Sequence, residues 1–222
     1  MKHEMARIIK IDPKKPDVKR IKDAAETLKK GGIVAFPTDT FYGLGADAAN
    51  DKAVKKIYAI KERDYDKPIL ILMDNKDKVS KYVKDIPQIA KKLIDKFWPG
   101  PLTIIFYASP AVSQSLLGRS NKIGIRIPNN PLTLLFLKTA GCPVTATSAN
   151  ISGTSSASDP KEVNENLGEK IDIILDAGRT TGIKESTVID ITEYPPVCIR
   201  EGMITTKEIE DFLGIKLKRG AI

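Results

Sequence analysis

Two cations, Lys61 and Arg63, follow a predicted helix and stand two positions apart. If the chain is extended here, both side chains point the same way, so an ammonium and a guanidinium fork face one ligand. Such a pair suits a polyphosphate. The alternative is that the two cations only cap the carboxyl end of the helix, and the pair taken alone favours that alternative.

A second segment is polar but uncharged. Residues 145–150 read Thr-Ala-Thr-Ser-Ala-Asn and follow an apolar strand, so Ser148 and Asn150 share a face if the segment is extended. Hydroxyl and carboxamide groups bind phosphate or ribose oxygens, and open α/β sheets bind ligands at the carboxyl ends of strands. A plain Ser/Thr-rich loop explains the composition equally well, and both interpretations stay open.

Four further segments carry weaker signals. Residues 37–45 combine threonine hydroxyls, an aspartate and glycines, which suits a small polar ligand, but the composition favours a plain tight turn. Arg126 lies inside an apolar strand, where a charge is costly to bury unless a carboxylate of the protein or of a ligand pairs with it. The segments 185–188 and 200–202 are uninformative when each is taken alone.

The composition excludes several kinds of chemistry. The only histidine of the 222 residues is His3, which excludes a Ser-His-Asp triad, a Cys-His dyad and a His-rich zinc site. Cys142 and Cys198 have no C-x-x-C metal spacing, and a disulfide between them stays open. Neither a Walker P-loop nor a G-x-G-x-x-G motif is present, so a standard P-loop ATPase and a Rossmann dehydrogenase are also excluded.

The chain has a net charge of +8 and only eight of its 36 cations are arginine. A solvated lysine-rich surface explains the bulk of this charge, and the second interpretation is an anionic partner such as a nucleotide, phosphate or RNA. No apolar stretch approaches the length of a membrane span, and residues 1–10 lack the apolar region of a secretory signal. We therefore expect a cytoplasmic protein without membrane association.

Helices and strands alternate along the chain, and they place the polar segments at strand ends. The pattern predicts one α/β domain over 1–222, with a core of about 14–203, a mixed sheet and no second C-terminal domain. Helices are predicted over 17–30, 51–60, 76–97 with a break near Pro87, 131–139, 160–167 and 205–213. Strands are predicted over 8–11, 33–36, 69–73, 102–107, 122–127, 143–146, 171–176, 186–191 and 197–200.

These motifs, in this order, resemble the YrdC-like family of threonylcarbamoyl-AMP synthases in its single-domain form, over nearly the whole chain. The characteristic pair is Lys-x-Arg at 61–63 with Ser-x-Asn at 148–150. The other matching blocks are Gly-Gly-x-Val-Ala-Phe-Pro-Thr-Asp-Thr-x-Tyr-Gly-Leu at 31–44, Trp-Pro-Gly-Pro-Leu-Thr at 98–103, Ile-Arg-Ile-Pro at 125–128 and Glu-Ser-Thr-Val at 185–188.

The resemblance implies a twisted mixed sheet with helices around a large basic concave cavity. It implies a nucleotidyltransferase that converts L-threonine, bicarbonate or CO2, and ATP into L-threonylcarbamoyladenylate and pyrophosphate. This product feeds the formation of N6-threonylcarbamoyladenosine in tRNA, so the implied partner is the transferase complex that acts on tRNA. Mg2+ is expected with the ATP phosphates and no tightly bound metal, and direct binding of tRNA or double-stranded RNA stays open.

The resemblance also implies roles for individual residues. The implied catalytic residues are Lys61, Arg63, Ser148 and Asn150. The implied ATP-binding residues are these four with Lys67, Ser156 and Arg200, and the implied threonine-binding residues are Thr38, Thr40, Arg126, Ala146 and Ser186. Two positions depart from the family: Leu72 stands where the longer members have a threonine-contacting histidine, and Lys67 where many relatives have asparagine. A lid is expected from residues 147–158.

Two other functions remain as alternatives. One is a non-catalytic RNA-binding module, whose affinity would fall steeply with salt and survive the loss of Arg63. The other is a carbamoyltransferase domain like that used in hydrogenase maturation, which would use carbamoyl phosphate in place of bicarbonate. The ordered motifs favour the synthase over both.

Overall fold

Eleven strands form one mixed sheet in the computed structural model, which describes residues 5–220. They are β1 Arg7–Lys10, β2 Val34–Phe36, β3 Gly43–Gly45, β4 Leu70–Leu72, β5 Leu102–Tyr107, β6 Lys122–Arg126, β7 Val144–Ser148, β8 Ile173–Asp176, β9 Thr187–Asp190, β10 Val197–Arg200 and β11 Lys218–Arg219. Their order across the sheet is β1-β8-β2-β3-β7-β4-β6-β5-β9-β10-β11. Both parallel pairs, such as β4 with β6, and antiparallel pairs, such as β4 with β7, occur. The predicted α/β fold with a mixed sheet is therefore confirmed. The histidine of the sequence, His3, lies outside the described residues.

The helices begin largely where the sequence predicted. They are α1 Val18–Lys29, α2 Asp51–Lys61, α3 Gln88–Phe97, α4 Gln114–Leu117, α5 Pro131–Ala140, α6 Pro160–Leu167 and α7 Thr206–Leu213. The last two begin with side-chain caps, in which Asp159 accepts a hydrogen bond from the Lys161 amide and Thr205 accepts one from the Glu208 amide. No helix in the described part of the chain has the length and apolar character of a membrane span.

The sheet separates two hydrophobic cores. Along β2, Ile33 and Ala35 belong to the larger core, whereas Val34 and Phe36 belong to the smaller one. Alternate residues of a strand point to opposite faces, so the two cores lie on opposite sides of the sheet. The smaller core is closed by α1 and α5, and Phe136 of α5 packs against Phe36 with ring centroids 5.3 Å apart.

Several predicted boundaries were wrong. The segment predicted as a loop over 38–50 contains β3, whose glycine-rich sequence lacks the β-branched residues that indicate a strand. β7 runs two residues past its predicted end and takes in Thr147 and Ser148. The predicted helix over 76–97 is a separate 3-10 helix, Lys76–Lys81, followed by α3 after the expected break at Pro87. The short elements α4 and β11 had not been predicted.

Candidate active site

A cavity of about 570 Å3 lies where β2, β6, β7 and β10 end. Its lining includes every residue that the resemblance implied for the site, together with Leu72. The implied residues are Thr38, Thr40, Lys61, Arg63, Lys67, Arg126, Ala146, Ser148, Asn150, Ser156, Ser186 and Arg200. The structure thus brings together residues that are up to 162 positions apart in the chain, and it places none of them elsewhere.

Lys61 is the most buried cation of the cavity, with 2% of its surface exposed. Its ammonium donates hydrogen bonds to the Ser148 carbonyl at 2.6 Å, the Asn150 carbonyl at 2.7 Å and the Asn150 Oδ1 at 3.0 Å. An ammonium has three protons, so all of its donors are used within the protein. Lys61 therefore fixes the turn that presents Ser148 and Asn150.

The extended geometry on which a shared Lys61–Arg63 fork depended is absent from residues 61–63. Lys61 is the last residue of α2, and Glu62 adopts a left-handed conformation with φ of 51°. Because the backbone changes direction at Glu62, the Lys61 and Arg63 side chains point to different partners and do not face one ligand together. Lys61 enters the protein, whereas Arg63 lies along the following loop.

The pKa of Lys61 is lowered to about 8, mainly by burial and also by the charge of Arg63, while the charge of Glu185 opposes the shift. Burial also lowers the pKa of Arg63, Tyr58 raises it and Arg200 lowers it. Arg63 therefore lies close enough to both Lys61 and Arg200 for their charges to repel it. An anionic ligand placed among them would relieve their repulsion.

Arg63 shapes the loop that leads to β4. Its Nε donates to the Lys67 carbonyl at 3.2 Å and its Nη2 to the Pro68 carbonyl at 3.0 Å. The Tyr58 hydroxyl donates to the same Lys67 carbonyl at 3.1 Å, and the Tyr58 ring stacks on Tyr65. The Arg63 Nη1 makes no hydrogen bond within residues 5–220 and stays available to a ligand in the cavity.

Arg126 is 5% exposed and is paired with Asp39. Its Nη2 lies 2.5 Å from Asp39 Oδ1, its Nε donates to the Gly100 carbonyl at 3.1 Å and its Nη1 donates to Thr40 Oγ1 at 3.3 Å. The hydroxyls of Thr38 and Thr40 are 3.0 Å apart. The result is a guanidinium flanked by hydroxyls, a combination that suits a small molecule with a carboxylate.

Arg200 is a second arginine of the cavity that is held by a carboxylate and by hydrogen bonds. Its Nη1 pairs with Glu185 Oε2, its Nε donates to the Ser186 carbonyl at 3.1 Å and its Nη2 donates to Ser186 Oγ at 3.2 Å. The Ser186 hydroxyl also lies 3.1 Å from Thr103 Oγ1. Glu185 Oε1 accepts a hydrogen bond from Ser156 Oγ at 2.8 Å, which connects the segment after β7 to the start of β9.

Sequence reasoning assigned no site role to Asp39 or Glu185. Both lie inside motifs that it singled out, and each is adjacent to a residue implied to bind threonine, Thr40 and Ser186 respectively. This adjacency in sequence was the signal that could have indicated a site role for the two carboxylates. The pairing of each carboxylate with an arginine distant in the chain could not be read from spacing.

A model of one protein family, Sua5/YciO/YrdC with the description "Telomere recombination", matches residues 26–202. The chain belongs to this family. A putative threonylcarbamoyl-AMP synthase of Methanocaldococcus jannaschii is 40% identical over 192 residues, which cover 85% of this chain and 90% of that relative. The resemblance found from the motifs is therefore confirmed.

Longer family members also match. The threonylcarbamoyl-AMP synthase of Pyrococcus abyssi is 40% identical over 195 residues, which are 88% of this chain but 57% of that relative. The crystal structure of P. abyssi Sua5 complexed with L-threonine superposes with a TM-score of 0.92 at 37% identity, covering 96% of this chain and 62% of the other. This chain thus spans little more than half the length of these relatives.

Proposed function

We propose that this chain makes L-threonylcarbamoyladenylate and pyrophosphate from L-threonine, bicarbonate or CO2, and ATP. The observation that carries the proposal is the meeting of two different cationic groups in one cavity. Arg126 among hydroxyls suits an amino acid carboxylate, and Arg63 with Arg200 suits phosphates. The relatives named threonylcarbamoyl-AMP synthase, and the threonine complex of P. abyssi Sua5, support this enzyme over a non-catalytic RNA-binding module.

The cavity divides between the two substrates. We assign the threonine carboxylate to Arg126, with Thr38, Thr40, Ser186 and Ala146 around the amino acid. The phosphates of ATP are assigned to Arg63, Lys67 and Arg200, with Ser148, Asn150 and Ser156 as hydrogen-bond partners. Lys61 acts through the turn that it fixes, since its three donors are bonded to Ser148 and Asn150. Leu72, where the family resemblance implies a histidine in the longer members, offers threonine only an apolar contact.

The reaction needs enclosure and cations more than a strong base. The threonine amine attacks CO2 and loses a proton, which gives a carbamate that is unstable in water. A carbamate oxygen then attacks the α-phosphorus of ATP, and the bond from that phosphorus to the bridging oxygen breaks as pyrophosphate leaves. Arginines aimed at the phosphates neutralise the charge that develops on the leaving group, and the walls of the cavity limit access of water.

Mg2+ would enter as part of its complex with ATP. Among residues 5–220, no group of three or more His, Cys, Asp and Glu side chains is placed to hold a metal ion. We propose that the adenylate product is used by the transferase complex that acts on tRNA. The segment 147–158 contributes one wall of the cavity, which fits its proposed role as a lid.

Pyrophosphate release by the purified protein tests the proposal. We expect release only with ATP, L-threonine and bicarbonate together, and at least a tenfold loss, roughly, in Arg63→Ala because one phosphate cation is gone. Lys14→Ala is the matched control, since Lys14 is an exposed cation outside the cavity. Release that needs carbamoyl phosphate in place of bicarbonate would instead support a carbamoyltransferase. RNA binding that survives in Arg63→Ala, without release of pyrophosphate, would support the RNA-binding module.

A further inference from the structure

Two arginines of the cavity, Arg63 and Arg200, are assigned to the phosphates. Among the described residues, Glu185 is the one carboxylate lining the cavity that contacts either of them. Its Oε2 pairs with Arg200 Nη1, and its Oε1 accepts the Ser156 hydroxyl at 2.8 Å. Both residues are assigned above to the nucleotide. The carboxylate therefore occupies two partners that a phosphate would use.

The contact between Glu185 and Arg200 is more exposed to solvent than the contact between Asp39 and Arg126. The side chains of Glu185 and Arg200 are 37% and 31% exposed, whereas those of Asp39 and Arg126 are 12% and 6% exposed. Glu185 lines the cavity and Asp39 does not. The Glu185–Arg200 pair is half-buried and better solvated than the Asp39–Arg126 pair, so a polyvalent anion displaces its carboxylate more readily.

We propose that Glu185 is a competing anion that limits how tightly the site holds polyphosphates. This inference rests on the proposed binding of phosphates at Arg200. A polyphosphate that takes Arg200 must move the Glu185 carboxylate, which also breaks the bond to Ser156 and frees the segment after β7. When the polyphosphate leaves, the carboxylate returns to Arg200 and closes the network again.

Such a competitor serves a reaction whose product is pyrophosphate. A cavity with cations and no displaceable carboxylate near them would hold pyrophosphate tightly and delay its release. Glu185 lowers the affinity for ATP as well. It therefore exchanges some substrate affinity for faster release of the product.

Isothermal titration of pyrophosphate and of ATP into wild type and Glu185→Gln tests this inference. The glutamine keeps an acceptor for Ser156 but loses the charge, so pyrophosphate affinity should rise roughly tenfold. Glu62→Gln is the matched control, because Glu62 lines the same cavity and its side chain is 69% exposed, but its partner is Lys170. That control should change the affinity less than about twofold.

A second variant separates contact from charge. In Glu185→Asp the charge is kept, but the shorter side chain cannot reach Arg200 and Ser156 together, so pyrophosphate affinity should also rise, by less than in Glu185→Gln. In the turnover assay, pyrophosphate should inhibit Glu185→Gln more strongly than wild type. Thermal unfolding of each variant checks that the fold is intact.

Three outcomes would overturn the inference: weaker pyrophosphate binding in Glu185→Gln, an equal gain in Glu62→Gln, or no binding of pyrophosphate and ATP to any of the proteins. The first would make Glu185 an orienting partner of Arg200. A tenfold gain in Glu185→Gln without threonine-dependent turnover in wild type would support the inference while the proposed synthase function failed.

Discussion

Asp39 determines how Arg126 is presented to the cavity. The carboxylate holds Nη2 at 2.5 Å while the Gly100 carbonyl holds Nε, so the guanidinium plane is fixed by two partners. Asp39 Oδ2 is buried and accepts no hydrogen bond within residues 5–220. Burial lowers the pKa of Arg126, and the charge of Asp39 counteracts that effect. Asp39 is therefore a positioning residue for the group assigned to the threonine carboxylate.

Asp39→Asn should raise the KM for threonine by roughly tenfold or more, with little change in the KM for ATP, because the Arg126 fork loses its ionic partner. It should also destabilise the fold by about 3 kcal/mol, since a buried guanidinium is left uncompensated. Asp190→Asn is the matched control: Asp190 is 5% exposed and paired with Lys122, outside the cavity. Steady-state kinetics and urea unfolding measure both effects. Equal KM values in the two variants would contradict the positioning role.

Lys61 should make turnover depend on pH. Its pKa is lowered to about 8, so raising the pH through that value removes one of the three protons that hold Ser148 and Asn150, and pyrophosphate release should fall. Stability should change in the opposite direction. Between about 8 and 10.5 the unfolded state binds more protons at this site, so its contribution to the free energy of unfolding rises with pH.

A rate profile across this pH range at saturating substrates measures the effect. Because Glu185 raises the pKa of Lys61, Glu185→Gln should move the fall in rate to lower pH, whereas Glu62→Gln should not. A profile that is the same in all three proteins would assign the fall to another group.

At the scale of elements, the loop before β9 packs tightly against the turn after β2. The Gly182 amide donates to the Thr40 carbonyl at 3.1 Å, and a Cβ at position 182 would lie 2.0 Å from that same oxygen. Gly182→Ala must therefore displace the backbone of Thr40, whose hydroxyl contacts Arg126. We expect a rise in the KM for threonine of roughly tenfold, because small displacements of positioning groups are costly.

Gly141→Ala serves as the control for this prediction. Gly141 has a φ of +69° but an added Cβ meets nothing within 4 Å, so the substitution should cost about 1 kcal/mol of stability and leave kinetics unchanged. If Gly182→Ala lowered the melting temperature but left the KM for threonine at the wild-type value, the loop would have a structural role only.

Elements with a strong local signal were predictable, and the site geometry between them was not. Apolar periodicity and capping residues located α1, α6 and α7, because those signals act within a few residues. β3 is a strand only because it pairs with β2 and β7, and no local preference of Gly43–Gly45 indicates that. The direction of Lys61 depends in the same way on Ser148 and Asn150, which are 87 and 89 positions away.

At the scale of the whole molecule, the order of strands builds the site. β7 lies between β3 and β4, and β9 lies between β5 and β10, so chain segments far apart in sequence end at one edge. The motifs indicated residues that line one cavity, because the resemblance covers nearly the whole chain. They could not indicate which arginine pairs with which carboxylate, since that depends on strand order and on small local turns such as the one at Glu62.

The excess of cations should make the two proposed substrates respond differently to salt. ATP is a polyanion attracted by the net charge of +8 and by the cations of the cavity, whereas threonine is a zwitterion without net charge. Raising the salt from about 0.05 M to about 0.5 M shortens the screening length severalfold, so the KM for ATP should rise severalfold, with the cations of the cavity contributing most of the effect because they lie nearest the phosphates. The KM for threonine should change less than about twofold, because the Arg126 pair is buried and weakly screened.

Two variants locate the origin of this salt effect. Arg63→Gln should lower the slope of the KM for ATP against salt, whereas Lys14→Gln should lower it much less because Lys14 is exposed and outside the cavity. If both variants lowered the slope equally, the attraction would come from net charge alone. A KM for ATP that did not respond to salt would contradict the assignment of the phosphates to the arginines of the cavity, since charge neutralisation at that position is what the proposed reaction requires.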